Sequence, residues 1–188
     1  MDYLVGAYEP ETTKLFEKII KDGQTIIDIG ADYGYFSLLS ANLVGHKGKV
    51  FAFEPYKERC DQYLLKNISL NKFRNIKIVQ KAASDMVGSH TYFVDSRSLF
   101  NINNTVIDAS NGVSMEAIDS VRLDDFFKNY DRPIDLIKID VEGGEMNVLK
   151  GAHDILERNK NIKLILEIAP QIMRAAGVLP NDLLLLLR

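Results

Sequence analysis

Residues 25–37 read TIIDIGADYGYFS, and no other stretch limits the fold as tightly. The apolar run Ile26-Ile27-Asp28-Ile29 has the near-continuous hydrophobicity of a buried strand. Gly30 ends it, Gly34 follows four residues later, and Tyr35-Phe36-Ser37-Leu38-Leu39-Ser40-Ala41 suits a helix packed on a sheet. Strand, glycine turn and helix in that order bring backbone N–H groups and a helix N-terminus up to a ligand. A plain strand-to-helix connection would read the same way, so the ligand must be argued separately.

A dinucleotide fingerprint needs G-x-G-x-x-G after the strand. Here the second glycine position holds Asp32 and the third Tyr35. An aspartate facing a pyrophosphate is electrostatically wrong, which disfavours NAD and FAD. The spacing present, Asp28-x-Gly30-x-x-x-Gly34, resembles the first motif of S-adenosylmethionine (SAM) dependent methyltransferases. SAM carries a sulfonium and an amino group and no phosphate, so carboxylates nearby are welcome.

The 188 residues suffice for one sizeable core, and a single domain over 1–188 is expected. A net charge of −3 without a basic run argues against a large nucleic-acid footprint. Cys60 is the one cysteine, so no intrachain disulfide can form and a reducing compartment fits. The polar, acidic start MDYLVGAYEPETTK does not resemble a signal peptide, and the leucines at 183–187 are too few to span a bilayer. A cytoplasmic protein without a membrane span is the expectation.

Along the chain, Thr12 or Thr13 is expected to cap a helix to about residue 21, ended by Asp22-Gly23. After the glycine turn a helix to about residue 44 is expected, then a second strand, Lys49-Val50-Phe51-Ala52-Phe53-Glu54. Glu54 lies 24 residues beyond Gly30, placed at a strand end to accept both ribose hydroxyls of an adenosine. A helix over about 56–70 should follow, then a third strand from Ile76 running into Ala82-Ala83. Residues 88–94 alternate in polarity, 96–112 form a polar, asparagine-rich irregular loop, and 114–122 read as an edge strand. A short helix from Leu123, a fourth strand over 134–140, one helix from Glu145 through Leu156 and a fifth strand over 163–168 complete the alternation. The pattern predicts an α/β, doubly wound, mostly parallel sheet with ligands at its carboxyl edge.

Several stretches together resemble the FkbM family of SAM-dependent methyltransferases, a class I Rossmann-like group. They are Asp28-x-Gly30-Ala31-x-x-Gly34-Tyr35-Phe36, Ala52-Phe53-Glu54-Pro55, Asn67-x-x-x-Asn71, Leu123-Asp124-Asp125, Ile137-Lys138-Ile139-Asp140-Val141-Glu142-Gly143-x-Glu145 and Leu149-Lys150-Gly151. The match runs from about residue 8 to 167, and the Lys-Ile-Asp-Val-Glu-Gly block is its most specific part. The resemblance implies SAM as cofactor and O-methylation of a hydroxyl on a sugar or secondary metabolite. It implies Gly30, Ala31, Gly34, Glu54 and Ala82 around the cofactor and Asp140 at its methionine end; Asp28, Tyr33 and Pro55, from the same motifs, complete the set. Two positions depart from the pattern: Asp32 where asparagine is usual, and Gly144 where alanine is usual. After the fifth strand only residues 171–188 remain, enough for one or two helices, which reads as a truncated or minimal variant lacking the C-terminal antiparallel strand pair. An outermost strand left as an open edge could be covered by a homo-oligomer.

A hydroxyl nucleophile needs its proton removed. By position Asp140, Glu142 and Glu167 are the candidate bases, while His46, His90 and His153 fall in a loop, in the uncertain insertion and on a helix. The three carboxylates could instead gather a divalent metal, but no ligand spacing fixes one and none is assigned. The partner expected is a small-molecule or glycan hydroxyl acceptor. The rival is a non-catalytic SAM-binding or assembly module that keeps Gly30, Gly34 and Glu54 without a productive acceptor site.

Overall fold

The computed structural model describes residues 8–95, 98–101, 114–141, 143–175 and 177–186. They form two compact units: one of Met1–Gln80, Arg132–Lys138 and Asn161–Lys163, the other of Lys81–Asp131, Ile139–Lys160 and Leu164–Arg188.

In the first unit, helix α1 (Pro10–Ile19) starts at a proline, whose missing N–H is unneeded in a first turn. Neither Thr12 nor Thr13 caps it, since both lie inside the helix; Thr13 Oγ1 instead donates to the Tyr8 carbonyl at 2.9 Å. Strand β1 (Thr25–Ile29) is buried at every position, as its sequence requires. Helix α2 (Tyr35–Val44) and strand β2 (Lys49–Phe53) follow. Then come α3 (Lys57–Arg59), a π-helical turn (Cys60–Leu64) and α4 (Leu65–Leu70), where a single helix is expected. Strand β3 (Ile76–Val79) pairs in parallel with β2, and β2 with β1, in register from Thr25↔Lys49 to Ile29↔Phe53. Ala31, Ala52, Leu64 and Ile68 form a buried cluster beside the glycine turn.

The third strand does not continue into the alanines. Ala82–Ala83 form a separate strand, β4, in a second sheet with β5 (Gly88–Asp95), β6 (Ser98–Asn101) and β7 (Ser114–Val121), ordered β4-β7-β5-β6. Residues 114–121 are therefore not an edge strand: β7 pairs with β4 on one side and β5 on the other. Part of the expected irregular loop is strand β6, and residues 96–97 and 102–113 lie outside the described residues.

Also in the second unit are α5 (Leu123–Phe126), α6 (Glu145–Lys150) and α7 (His153–Arg158). The expected single helix is interrupted at Gly151 and Ala152, and Gly151 lies so close to the chain at Ser84 that a Cβ there would stand 2.1 Å from the Ser84 carbonyl oxygen. The junction is fastened by Asp124, whose N–H donates to the Gly151 carbonyl at 2.9 Å and whose Oδ1 accepts the Ile155 N–H at 3.0 Å. Those bonds give Asp124 and Gly151, from the Leu-Asp-Asp and Leu-Lys-Gly stretches, a packing role. Helices α8 (Pro170–Ala175) and α9 (Pro180–Leu186) close the described chain; the fifth strand ends at Leu166, short of the expected 168, so Pro170 opens a helix and does not end the strand.

Strands β8 (Leu136–Ile139) and β9 (Lys163–Leu166) join the parallel sheet, whose order is β3-β2-β1-β8-β9. Lys163 N–H donates to the Asp135 carbonyl and Glu167 N–H to the Ile139 carbonyl, so the two segments advance together. Within this sheet the connections from β1 to β2, β2 to β3 and β8 to β9 carry helix, the usual crossover between parallel strands.

Candidate functional site

In the first unit the site begins where β1 and β2 end. Gly30 (φ 78°) and Gly34 (φ 94°) take backbone conformations that side chains rarely adopt. The N–H groups of Gly30 and Ala31 both donate to the Phe53 carbonyl at 3.0 Å, folding the turn against the end of β2. Asp32 is also left-handed, at φ 49°. Asparagine and aspartate tolerate that region best after glycine, so the Asp32 departure costs the turn little.

Glu54 follows β2 directly and is only 2% exposed. Its Oε2 accepts the Asp32 N–H at 3.0 Å and its Oε1 accepts the Tyr56 N–H at 2.9 Å. Burial pushes this carboxyl up to about 7, against the two backbone N–H donors and Arg59, which favour its ionised form. Each carboxylate oxygen has two acceptor positions, so one on each is left after the backbone bonds. Pro55 is half-buried, and Cys60 donates Sγ–H to the Glu54 carbonyl at 3.1 Å. Burial raises the Cys60 thiol to about 12, so it stays protonated.

Tyr33 is exposed and packs edge-on to Tyr63, with ring centroids 4.7 Å apart. Asn67 Nδ2 donates to the Tyr33 carbonyl at 2.8 Å, and Asn71 Nδ2 to the Asn67 carbonyl at 2.8 Å. Asn67 thus ties the glycine turn to α4, and Asn71 bonds back onto the last turn of that helix.

Asp28 is the fourth residue of β1 and is buried. Ser37 Oγ donates to its Oδ2 at 2.6 Å, and Lys138 Nζ stands 3.6 Å from its Oδ1 and 5.1 Å from the Phe36 ring centroid. Sequence reasoning missed Ser37, Lys138 and Arg59. The signal for Lys138 was legible: a lysine inside Leu136-Ile137-Lys138-Ile139 can be buried only beside a carboxylate.

In the second unit, Asp140 follows β8 and is half-buried, and Glu167 follows β9 and is exposed. Ala82 lies in β4, paired with Ser120. Glu142 lies outside the described residues. Glu145, at the start of α6, is buried and accepts the Gly143 N–H at 3.0 Å. Among the described residues no group of three or more His, Cys, Asp or Glu is arranged to hold a metal ion, and no helix is long and apolar enough to cross a membrane.

The methyltransferase FkbM domain matches residues 28–188. A methyltransferase from Sordaria araneosa, sdnD, is 27% identical over 185 residues, covering 83% of this chain and 69% of that protein. Among solved structures, a Streptococcus mutans protein in complex with SAH has a TM-score of 0.53 at 10% identity, covering 94% of this chain and 77% of that one. Aeropyrum pernix fibrillarin with natively bound S-adenosyl-L-methionine gives 0.52 at 14%, covering 95% of this chain and 63% of that one. A Clostridium thermocellum protein assigned as an rRNA methylase gives 0.50 at 12%, covering 79% and 60%. The chain thus spans less than two thirds of the last two structures. These likenesses show the fold, that of the class I Rossmann-like methyltransferases. With the family's domain matched from the first glycine motif onward, the chain belongs to the FkbM family of SAM-dependent methyltransferases.

Proposed function

We propose that the chain works as one SAM-binding domain and O-methylates a hydroxyl on a sugar or small secondary metabolite. The observation that carries the cofactor half is Glu54: a buried carboxylate at a strand end, fixed by two backbone N–H groups and with acceptor capacity left. It suits the paired hydroxyls of a ribose, which a charged acceptor binds with two hydrogen bonds. Gly30, Ala31, Tyr33, Gly34, Pro55, Ala82 and Asp140 complete the cofactor-binding set, with Asp28 bracing the turn through Ser37 and Lys138.

SAM supplies a methyl group already activated on a sulfonium, which leaves the protein to position the acceptor and move one proton. Asp140 is the proposed base, half-buried directly after β8; Glu142 and Glu167 are the other carboxylates assigned to the same task. The base takes the hydroxyl proton as the oxygen becomes nucleophilic.

The test is calorimetry with SAM, S-adenosylhomocysteine and NAD, followed by an acceptor screen on sugars and hydroxylated metabolites. Micromolar binding of the first two, no binding of NAD, and turnover of a hydroxyl acceptor support the reading. Asp140→Ala should keep SAM binding and lose turnover. SAM binding with no acceptor ever methylated would make the chain a non-catalytic SAM-binding module.

A further inference from the structure

Arg59 closes the first α-helical turn after Glu54, directly before the π-helical turn Cys60–Leu64. Such turns concentrate at functional sites because they set a side chain out of the regular helical register. Arg59 Nη1 lies 2.9 Å from Asp32 Oδ1, and its guanidinium carbon lies 4.9 Å from the centroid of the Tyr56 ring. Both partners hold Glu54 through their own backbone: Asp32 N–H donates to Oε2 and Tyr56 N–H to Oε1. One guanidinium therefore grips the side chains of the two residues whose N–H groups fix the carboxylate.

Resting on the reading of Glu54 as the ribose acceptor, we infer that Arg59 is the positioning residue of that site. It clamps the glycine turn to the start of the helix after β2 so that Glu54 is presented as a charged acceptor. A planar, always-charged fork suits this better than lysine would, because it can bond a carboxylate and stack on a ring at once.

Among the described residues, the charged and titratable groups facing Glu54 come from two elements. From the glycine turn comes Asp32, whose charge disfavours ionised Glu54; from the helix after β2 come Arg59, which favours it, and the protonated Cys60. Lys57 and Asp61 pair with each other on the exposed side of that helix. Removing the Arg59 charge leaves Asp32 unopposed, so Glu54 should ionise at higher pH. Arg59 and Asp32 are each about a third exposed, which keeps the direct effect modest.

The experiment measures SAM affinity by calorimetry from pH 6 to 8.5 for the wild type, Arg59→Gln and Arg59→Lys. Arg59→Gln should weaken binding about five-fold at pH 7, the scale of one partly exposed ion pair. Its binding profile should move to higher pH, while Arg59→Lys, which keeps the charge, should hold the wild-type midpoint. In parallel, carbon-13 carboxyl NMR of Glu54 without ligand should show the same upward movement in Arg59→Gln alone. Equal affinity and an unmoved midpoint in a folded Arg59→Gln would overturn the inference and leave the ribose reading standing. A wild type that binds no SAM would overturn the ribose reading, and the inference with it.

Discussion

Lys138 Nζ and Asp28 Oδ1 face each other at 3.6 Å, 110 residues apart in sequence, with side chains 6% and 1% exposed. Removing one charge of a buried pair strands the other, at a cost of about 3–5 kcal/mol. Asp28→Asn and Lys138→Met should each lower unfolding free energy by that order in urea titrations. The double variant should recover most of the loss. Strictly additive losses would mean that the two groups do not sense one another.

For Glu54 the expectation concerns affinity. Glu54→Ala should weaken SAM binding by roughly 1.5–3 kcal/mol, the loss of two charge-assisted hydrogen bonds. An unchanged dissociation constant in calorimetry would remove Glu54 from the site.

The same residue should couple stability and binding to pH in opposite directions. Its carboxyl is raised from 4.5 to about 7 in the folded chain, chiefly by burial. A raised value means that stability from the neutral acid is fully present below 4.5 and is lost as pH rises through about 7. The loss is about 3 kcal/mol for the free protein. Denaturant titrations across pH 4–8 should show this fall in the wild type and not in Glu54→Gln. SAM, binding the ionised form, should tighten over the upper part of that window and release protons near pH 7. Calorimetric enthalpies that do not vary between buffers of different ionisation enthalpy would contradict the coupling.

Gly151→Ala should be far worse than Gly23→Ala. At Gly151 the new methyl meets Ser84 backbone atoms at 2.1 and 2.8 Å, so two segments must part. A loss of about 2–4 kcal/mol is expected. Gly23 has φ 81° but nothing within 4 Å of an added Cβ, so only left-handed strain of about 1–2 kcal/mol applies. Thermal melts of the two variants decide it; equal shifts would mean that the Ser84 contact relaxes freely.

What could be read ahead of the structure was whatever the chain states locally. Ile26-Ile27-Asp28-Ile29 followed by Gly30 announces a buried strand and a left-handed turn, and Thr25–Ile29 with Gly30 at φ 78° is what the fold contains. The interruption at Gly151 was not legible, because apolar residues keep their helical spacing through the glycine and its close neighbour, the Ser84 carbonyl, is 67 residues away in sequence. Nor was the departure of Ala82–Ala83 to another sheet, since an extended dipeptide carries no mark of its pairing partner. Glu54, Asp140 and Glu167 stand directly after β2, β8 and β9, the strand ends at which their sequence positions place them. What fixes Glu54 was missed, because Arg59 reads as an ordinary surface residue until the π-helical turn and Asp32 are seen together.

Ala83 pairs with Val121 in parallel, and the Ser84 N–H donates to the Val121 carbonyl at 3.0 Å. The chain therefore leaves on its excursion and comes back at neighbouring positions, about one strand spacing apart. A segment with adjoining entry and exit can be lengthened, shortened or exchanged between homologues with little disturbance to what carries it. A change of length between the described ends of this excursion therefore need not move Ser84 away from Val121.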